Sequence, residues 1–454
     1  MTIPLYLMVI LFVTYIVQSK LSPTKAYGRF LMPAVSVKLL SAIAFAAVYV
    51  YHYDGIGDTF YYFEGSKIMH EAWLDSPELG FRVLMQPAGE FEPFTFPYTS
   101  RMPGFWRGDV EMVSMYKVVG TVMLLGFQSY WLTTLLIAIV GFTGLWKLFR
   151  FFADQYPDLT KKAAIAVFFI PSSMFWGSGI LKDTICFGAL GWVVWCMYQI
   201  FAKKKSVPAH LLLGVIFSIV ILSLKAYILY AVFPAIAVWL IMRFRPKNES
   251  IILKYTITPA IVAIISIGVY FAMQSISDSS EKYAIDNLEK QAKGFQSDHG
   301  NAAAHQDASI YSLGAVSYTP LGLLSKFPAA VNVTYFRPYL WEVGDPFQLL
   351  SSIESMVFFM LLLQTIWRVG IINFFKLLGS NAEIGFCLTF VLLFGFSVGF
   401  TAYNFGALVR FKIPVLPFYV MLMYLIQHEY FKEKRVKELP RQERKLFGQP
   451  AQIP

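Results

Sequence analysis

The feature that most constrains this chain is a series of eleven strongly apolar runs, at about 3–19, 31–52, 131–149, 163–176, 184–201, 208–224, 226–243, 251–273, 350–369, 384–402 and 411–429. A bilayer core of about 30 Å takes about 20 mainly apolar residues per helix. Lipid offers no partner to an open backbone group, so such runs fold as helices that satisfy their own N–H and C=O groups. Composition agrees, with 57% apolar and 15% charged residues, against about 25% charged in soluble chains. The reading is an all-α polytopic membrane protein of about 11 transmembrane helices. The first run lacks a basic start and a small-residue cleavage site, so it reads as a span. Cys186, Cys196 and Cys387 all lie inside apolar runs and form neither a disulfide framework nor a metal spacing. No internal repeat is evident, which weighs against inverted-repeat transporters.

Basic residues give the expected sidedness. Lys and Arg collect in cytoplasmic loops. With the N-terminus outside and the runs alternating, one set of loops and the tail hold 23 of the 38 Lys and Arg residues. The net charge of +10 is therefore a topology signal and does not point to nucleic acid. Residues 1–430 form one transmembrane domain, and 431–454 a basic cytoplasmic tail near anionic headgroups. The expected location is the cytoplasmic (inner) membrane, multi-pass, N-terminus outside and C-terminus inside. Lys38, eight residues into the second run, reads as a cation snorkelling to the cytoplasmic side.

Two long external loops remain, about 53–130 and 274–349, carrying 18 of the 28 acidic residues. Loops of this length are functional or disordered. The first is rich in Tyr, Phe, Trp and Pro, and its stretch 112–127 reads as an interfacial helix. In the second, Ile285, Leu288, Ala292 and Phe295 share one helical face, which predicts a surface helix. His299 and His305 follow in a polar tip, a weak pair for metal.

Charged residues at the outer ends of the spans are costly near lipid and tend to face polar cavities. In YHYDGIGDTFYYFEG, Asp54 and Asp58 flank two glycines that favour a turn, with Tyr61 and Tyr62 behind. Either carboxylate suits a general base toward a hydroxyl, and the pair also suits a divalent cation such as Mg or Mn. In PSSMFWGSGILKD, Lys182 and Asp183 stand at a break between apolar stretches, where Asp183 is placed either to line a cavity or to cap the next helix. Lys225, Arg337, Arg410 and Lys412 fall where an outer-leaflet phosphate would be, and arginine offers a forked donor set for phosphate oxygens. Carboxylates, cations and aromatics from distant helices thus converge on the outer interface. They suit an anionic, lipid-linked substrate.

The order of these motifs resembles the GT-C superfamily of membrane glycosyltransferases, the group that includes polyprenyl-phosphate-sugar-dependent protein mannosyltransferases and lipid A aminoarabinose transferases. DGIGDTFYY is similar to its early acidic loop, PSSMFWGSGILKD to its proline, break and aspartate, and LSLKAYILY to its cation-ended span. RFKIPVLPF matches its arginine, aromatic and double-proline run before the last helix. TYFRPYLWEVGDP, with Glu342, suggests a bacterial branch acting in surface polysaccharide synthesis. The resemblance implies a polyprenyl-phosphate sugar donor, a glycan, lipid or protein acceptor, and inversion at the anomeric carbon. It also implies Asp58 or Asp54 as the base, with Lys225, Arg337 and Arg410 on the departing phosphate. Two other classes stay open: a polysaccharide polymerase or O-antigen ligase using a lipid-diphosphate glycan, and a lipid or solute transporter.

Overall fold

The computed structural model describes residues 2–22, 25–90, 92–102, 109–244, 310–314, 320–344 and 346–438. The expected span at 251–273, the surface helix over 281–295, His299 and His305, and the tail beyond 438 lie outside the described residues. The rest is helical, with no strand among the described residues and one isolated bridge between Ile310 and Asn404.

Helix α1 (Thr2–Leu21) and helix α2 (Leu31–Tyr51) lead into the first long loop, which is itself helical: α3 (Asp58–Asp75), α4 (Pro77–Met85), α5 (Phe96–Thr99) and α6 (Val110–Gly126). Asp109 caps α6 by accepting from the Glu111 and Met112 amides at 3.0 and 3.1 Å. The stretch expected as an interfacial helix is thus helical, and it packs against α3, where the Trp73 indole donates to Thr121 at 3.2 Å. Next come α7 (Tyr130–Gln155), α8 (Thr160–Phe168), α9 (Pro171–Trp176), α10 (Lys182–Met197, continued by a π turn over Tyr198–Lys203), α11 (Val207–Lys225) and α12 (Tyr227–Arg243). After the undescribed segment follow α13 (Pro320–Ser325), α14 (Phe327–Phe336), α15 (Pro346–Val369), α16 (Ile371–Leu377), α17 (Ala382–Thr401), α18 (Phe405–Phe411) and α19 (Leu416–Glu438).

Among the described residues, seven helices are long and apolar enough to cross a membrane, or eight if α18 and α19, bent by 64°, form one span. They coincide with eight of the eleven apolar runs; the run at 226–243 forms the shorter apolar helix α12. The run at 163–176 is not one continuous helix. Pro171 has no N–H to donate and disfavours a helical residue before it, so Ile170 is extended and the run splits into α8 and α9. The basic tail begins as helix, since α19 continues to Glu438.

Glycines set the tightest contact. Gly141 and Gly144 of α7 face Gly188 and Gly191 of α10, and a Cβ on Gly188 would lie 2.7 Å from Gly141. Small residues let helix backbones approach within lipid.

Lys38 corrects its reading. It is fully buried and donates to the Gly177 carbonyl in the break between α9 and α10. Irregular backbone there leaves carbonyls without helical partners, and an ammonium inside the protein meets one of them.

Glu383, at the start of α17, is buried and accepts from the Trp239 indole (3.1 Å), the Tyr156 hydroxyl (3.1 Å) and Arg243 (3.3 Å). It holds the ends of α7 and α12 to the start of α17. The other end of α7 meets α3, where the Tyr130 and Thr59 hydroxyls lie 3.0 Å apart. Glu383→Ala would strand an indole N–H and a phenol, each costing about 1–3 kcal/mol when buried; the Arg243 pair adds little, because that side chain is a third exposed. The expected result is a clearly lowered thermal midpoint in detergent, with Glu383→Gln falling less.

Candidate active site

The turn before α3 forms because its backbone is left-handed. Asp54, Gly55 and Gly57 have φ of 49°, 75° and 127°, and the Gly55 amide donates to the Tyr49 carbonyl at 3.0 Å. At Gly57 a side chain would strike the Tyr49 ring as well as strain the backbone. The turn makes Asp58 the first residue of α3 and aims it at α18. There the Arg410 guanidinium donates to Asp58 Oδ2 at 2.9 Å and lies 3.7 Å from Asp183 Oδ2. Asp183 in turn accepts from Lys225 Nζ at 2.6 Å. Asp58, Arg410, Asp183 and Lys225, drawn from α3, α18, α10 and α11, therefore form one continuous chain of ion pairs.

Each member is placed by its own local sequence. Asn404 caps α18 through the Gly406 and Ala407 amides, at 2.7 and 3.3 Å, presenting Arg410 one turn later over the Trp176 ring, 5.7 Å from its centroid. Lys225 ends α11 and lies 4.1 Å from the Phe411 ring centroid. Asp183 sits in the first turn of α10, but that helix has no side-chain cap at Leu181. Its carboxylate is spent on cations instead of amides. Asp183 is 1% exposed while the Asp58 side chain is 49% exposed. Asp58 can reach a substrate; Asp183 holds Arg410 and Lys225 in position.

A second pair backs the first. Lys182 donates to Glu111 of α6 at 2.7 Å and lies 5.8 Å from the Tyr62 ring. Burial, and then the nearby Asp58 charge, pushes the Tyr62 phenol well up, so it stays a neutral O–H.

Arg410 also lines a cavity of about 860 Å³ whose wall includes Phe175, Trp176, Phe347 and Leu350, with His52 and Glu354 among its polar groups. Asp58, Asp183 and Lys225 do not line it, so Arg410 is the link between the ion-pair chain and the cavity.

Five expected contributors stand elsewhere. Lys412 is fully buried and donates to Ser355 at 3.1 Å, on the side of α18 that packs against α15. Arg337 closes on Glu342 within its own loop, which also takes the Tyr339 amide at 2.8 Å. Burial pushes the Glu342 carboxyl up, but the Arg337 and Tyr339 hydrogen bonds outweigh it and hold the group below its usual value. The pair belongs to the loop beside the cavity, since the next residue, Pro338, lines it. Asp54 and Tyr61 are exposed and take no part in the ion-pair chain.

Two acids went unread in the sequence. Glu111 counted only as one of many external carboxylates, and its pairing with Lys182 has no signal at a separation of 71 residues. Glu354 had one: it is an acid inside the apolar run 350–369. Its carboxylate accepts from the Ser172 amide at 2.9 Å and so caps α9 across the cavity wall.

Arg410 lies between the Asp58 and Asp183 carboxylates, and among the described residues no three His, Cys, Asp or Glu side chains gather to hold a metal. No protein-family model, curated protein or solved structure matches this chain.

Proposed function

We propose that the protein is a glycosyltransferase of the cytoplasmic membrane, taking a sugar from a polyprenyl-phosphate carrier and passing it, with inversion, to a glycan, lipid or protein acceptor on the outer face. The observation that carries this reading is Arg410, which pairs with Asp58 and Asp183 on one side and lines an apolar cavity on the other. That combination suits a phosphate joined to a lipid tail. Basic residues concentrated in the opposite loops support the outer placement.

In this reading the donor phosphate binds Arg410, with the tail along Phe175, Trp176 and Leu350. Phosphate then competes with Asp58 for the guanidinium. The freed carboxylate takes the proton of the acceptor hydroxyl as its oxygen bonds to the anomeric carbon. The bond from that carbon to the phosphate oxygen breaks, and its electron pair leaves with the lipid phosphate. Arg410 meets the growing phosphate charge, while Asp183 and Lys225 hold it in place.

The test uses full-length protein in proteoliposomes with radiolabelled polyprenyl-phosphate hexoses and pentoses and with glycan, lipid and peptide acceptors. Label should move to one acceptor class. Label that stays on the carrier in every combination contradicts the proposal.

A further inference from the structure

The candidate active site uses one end of α7 and α10; the other end carries a cationic groove that it does not use. Lys147 lies 17 residues after Tyr130, about 25 Å further along the helix. It sits two residues before the end of the apolar run 131–149, at the boundary where headgroups begin. The close glycine contact of α7 with α10 brings Lys147 and Arg150, one turn apart, over Trp192 and Trp195, also one turn apart. Lys147 Nζ is 4.6 and 5.4 Å from those two ring centroids, and Arg150 is 4.6 Å from Trp195 and 5.0 Å from Tyr27. The Trp192 ring is fixed on both sides, stacked on Phe217 at 5.2 Å and donating to Thr143 at 3.0 Å.

The charges in this groove do not balance. Arg150 has Asp154 at 3.3 Å, but Lys147 has no carboxylate partner among the described residues. Indole faces hold a cation without neutralising it, so Lys147 keeps its charge at the headgroup boundary, where a lipid phosphate is the counter-ion on offer. Val140 and Thr143 on α7 and Leu211, Val215 and Ile219 on α11 are exposed, an apolar surface suited to acyl chains. We propose that this groove binds the phosphate headgroup of an anionic glycerophospholipid, with Lys147 as its counter-ion, Arg150 beside it and the acyl chains along α11.

The proposal does not depend on sugar transfer, because binding is read without turnover. Native mass spectrometry of the full chain in detergent, with phosphatidylglycerol and phosphatidylcholine of equal chain length, gives the ratio of bound lipids. Wild type should prefer phosphatidylglycerol. One lysine near a membrane surface is worth about fivefold in affinity, so Lys147→Met should reduce the preference by about that factor and Lys147→Arg should keep it. The Lys147→Arg arm reads the charge even where Lys147→Met folds poorly. Equal binding of both lipids to wild type, an unchanged preference in Lys147→Met, or displacement of phosphatidylglycerol by inorganic phosphate would each overturn the assignment.

Discussion

Replacing Asp58 with Asn should lower sugar transfer by about 10²–10⁴-fold, the usual worth of a general base, while Asp54→Asn should stay near wild type. The sequence offers both, four residues apart on one turn, with Asp58 favoured ahead of Asp54. The structure separates them. Asp58 meets Arg410 at 2.9 Å and keeps half its side chain accessible, whereas Asp54 is exposed and stands outside the ion-pair chain. Asparagine keeps the shape and one acceptor oxygen, so folding should be little changed and the loss should fall on turnover. A ligase that relies on arginines alone would survive both changes, and equal activity in Asp58→Asn and wild type would favour it.

Arg410 should give the second large effect, in two separable parts. Arg410→Gln removes the cation from between two carboxylates, one of them buried, and breaking a buried pair costs about 3–5 kcal/mol. Lys225 still neutralises Asp183 at 2.6 Å, so the loss should sit at the lower end and appear as a lowered thermal midpoint. Transfer should fall as well, by about 10²–10³-fold, as for the loss of one charge-stabilising donor. Arg410→Lys should recover most of the midpoint but little of the turnover. An ammonium restores the charge without the planar fork that spans Asp58, Asp183 and a phosphate together. Full activity in Arg410→Lys would remove Arg410 from the chemistry.

Much of this arrangement was legible in the sequence because bilayer physics limits the possibilities. Apolar runs gave the long helices, and the charges at their outer ends gave Asp58, Asp183, Lys225 and Arg410, which four distant segments bring together. The glycines around Asp54 and Asp58 marked the turn. What failed depended on side-chain direction. Lys412 is two residues from Arg410, and on a helix that spacing turns it about 200° away, into the packing against Ser355. Lys38 read as a lipid-edge cation because nothing local shows that Gly177, 139 residues away, has a carbonyl to satisfy. Arg337 read as a phosphate ligand because its partner Glu342, five residues on, is reached by a loop fold that periodicity cannot reveal.

The affinity of the protein for polyprenyl phosphate, measured for wild type, Asp58→Asn and Arg410→Lys, is the most direct test of whether lipid phosphate and Asp58 compete for Arg410. Asp58→Asn removes the competitor, so binding should tighten by about tenfold, about 1.4 kcal/mol and close to the low end for a hydrogen bond to a charged group. Arg410→Lys should weaken it. Binding that is no tighter in Asp58→Asn, or that is unaffected in Arg410→Lys, would contradict the shared site.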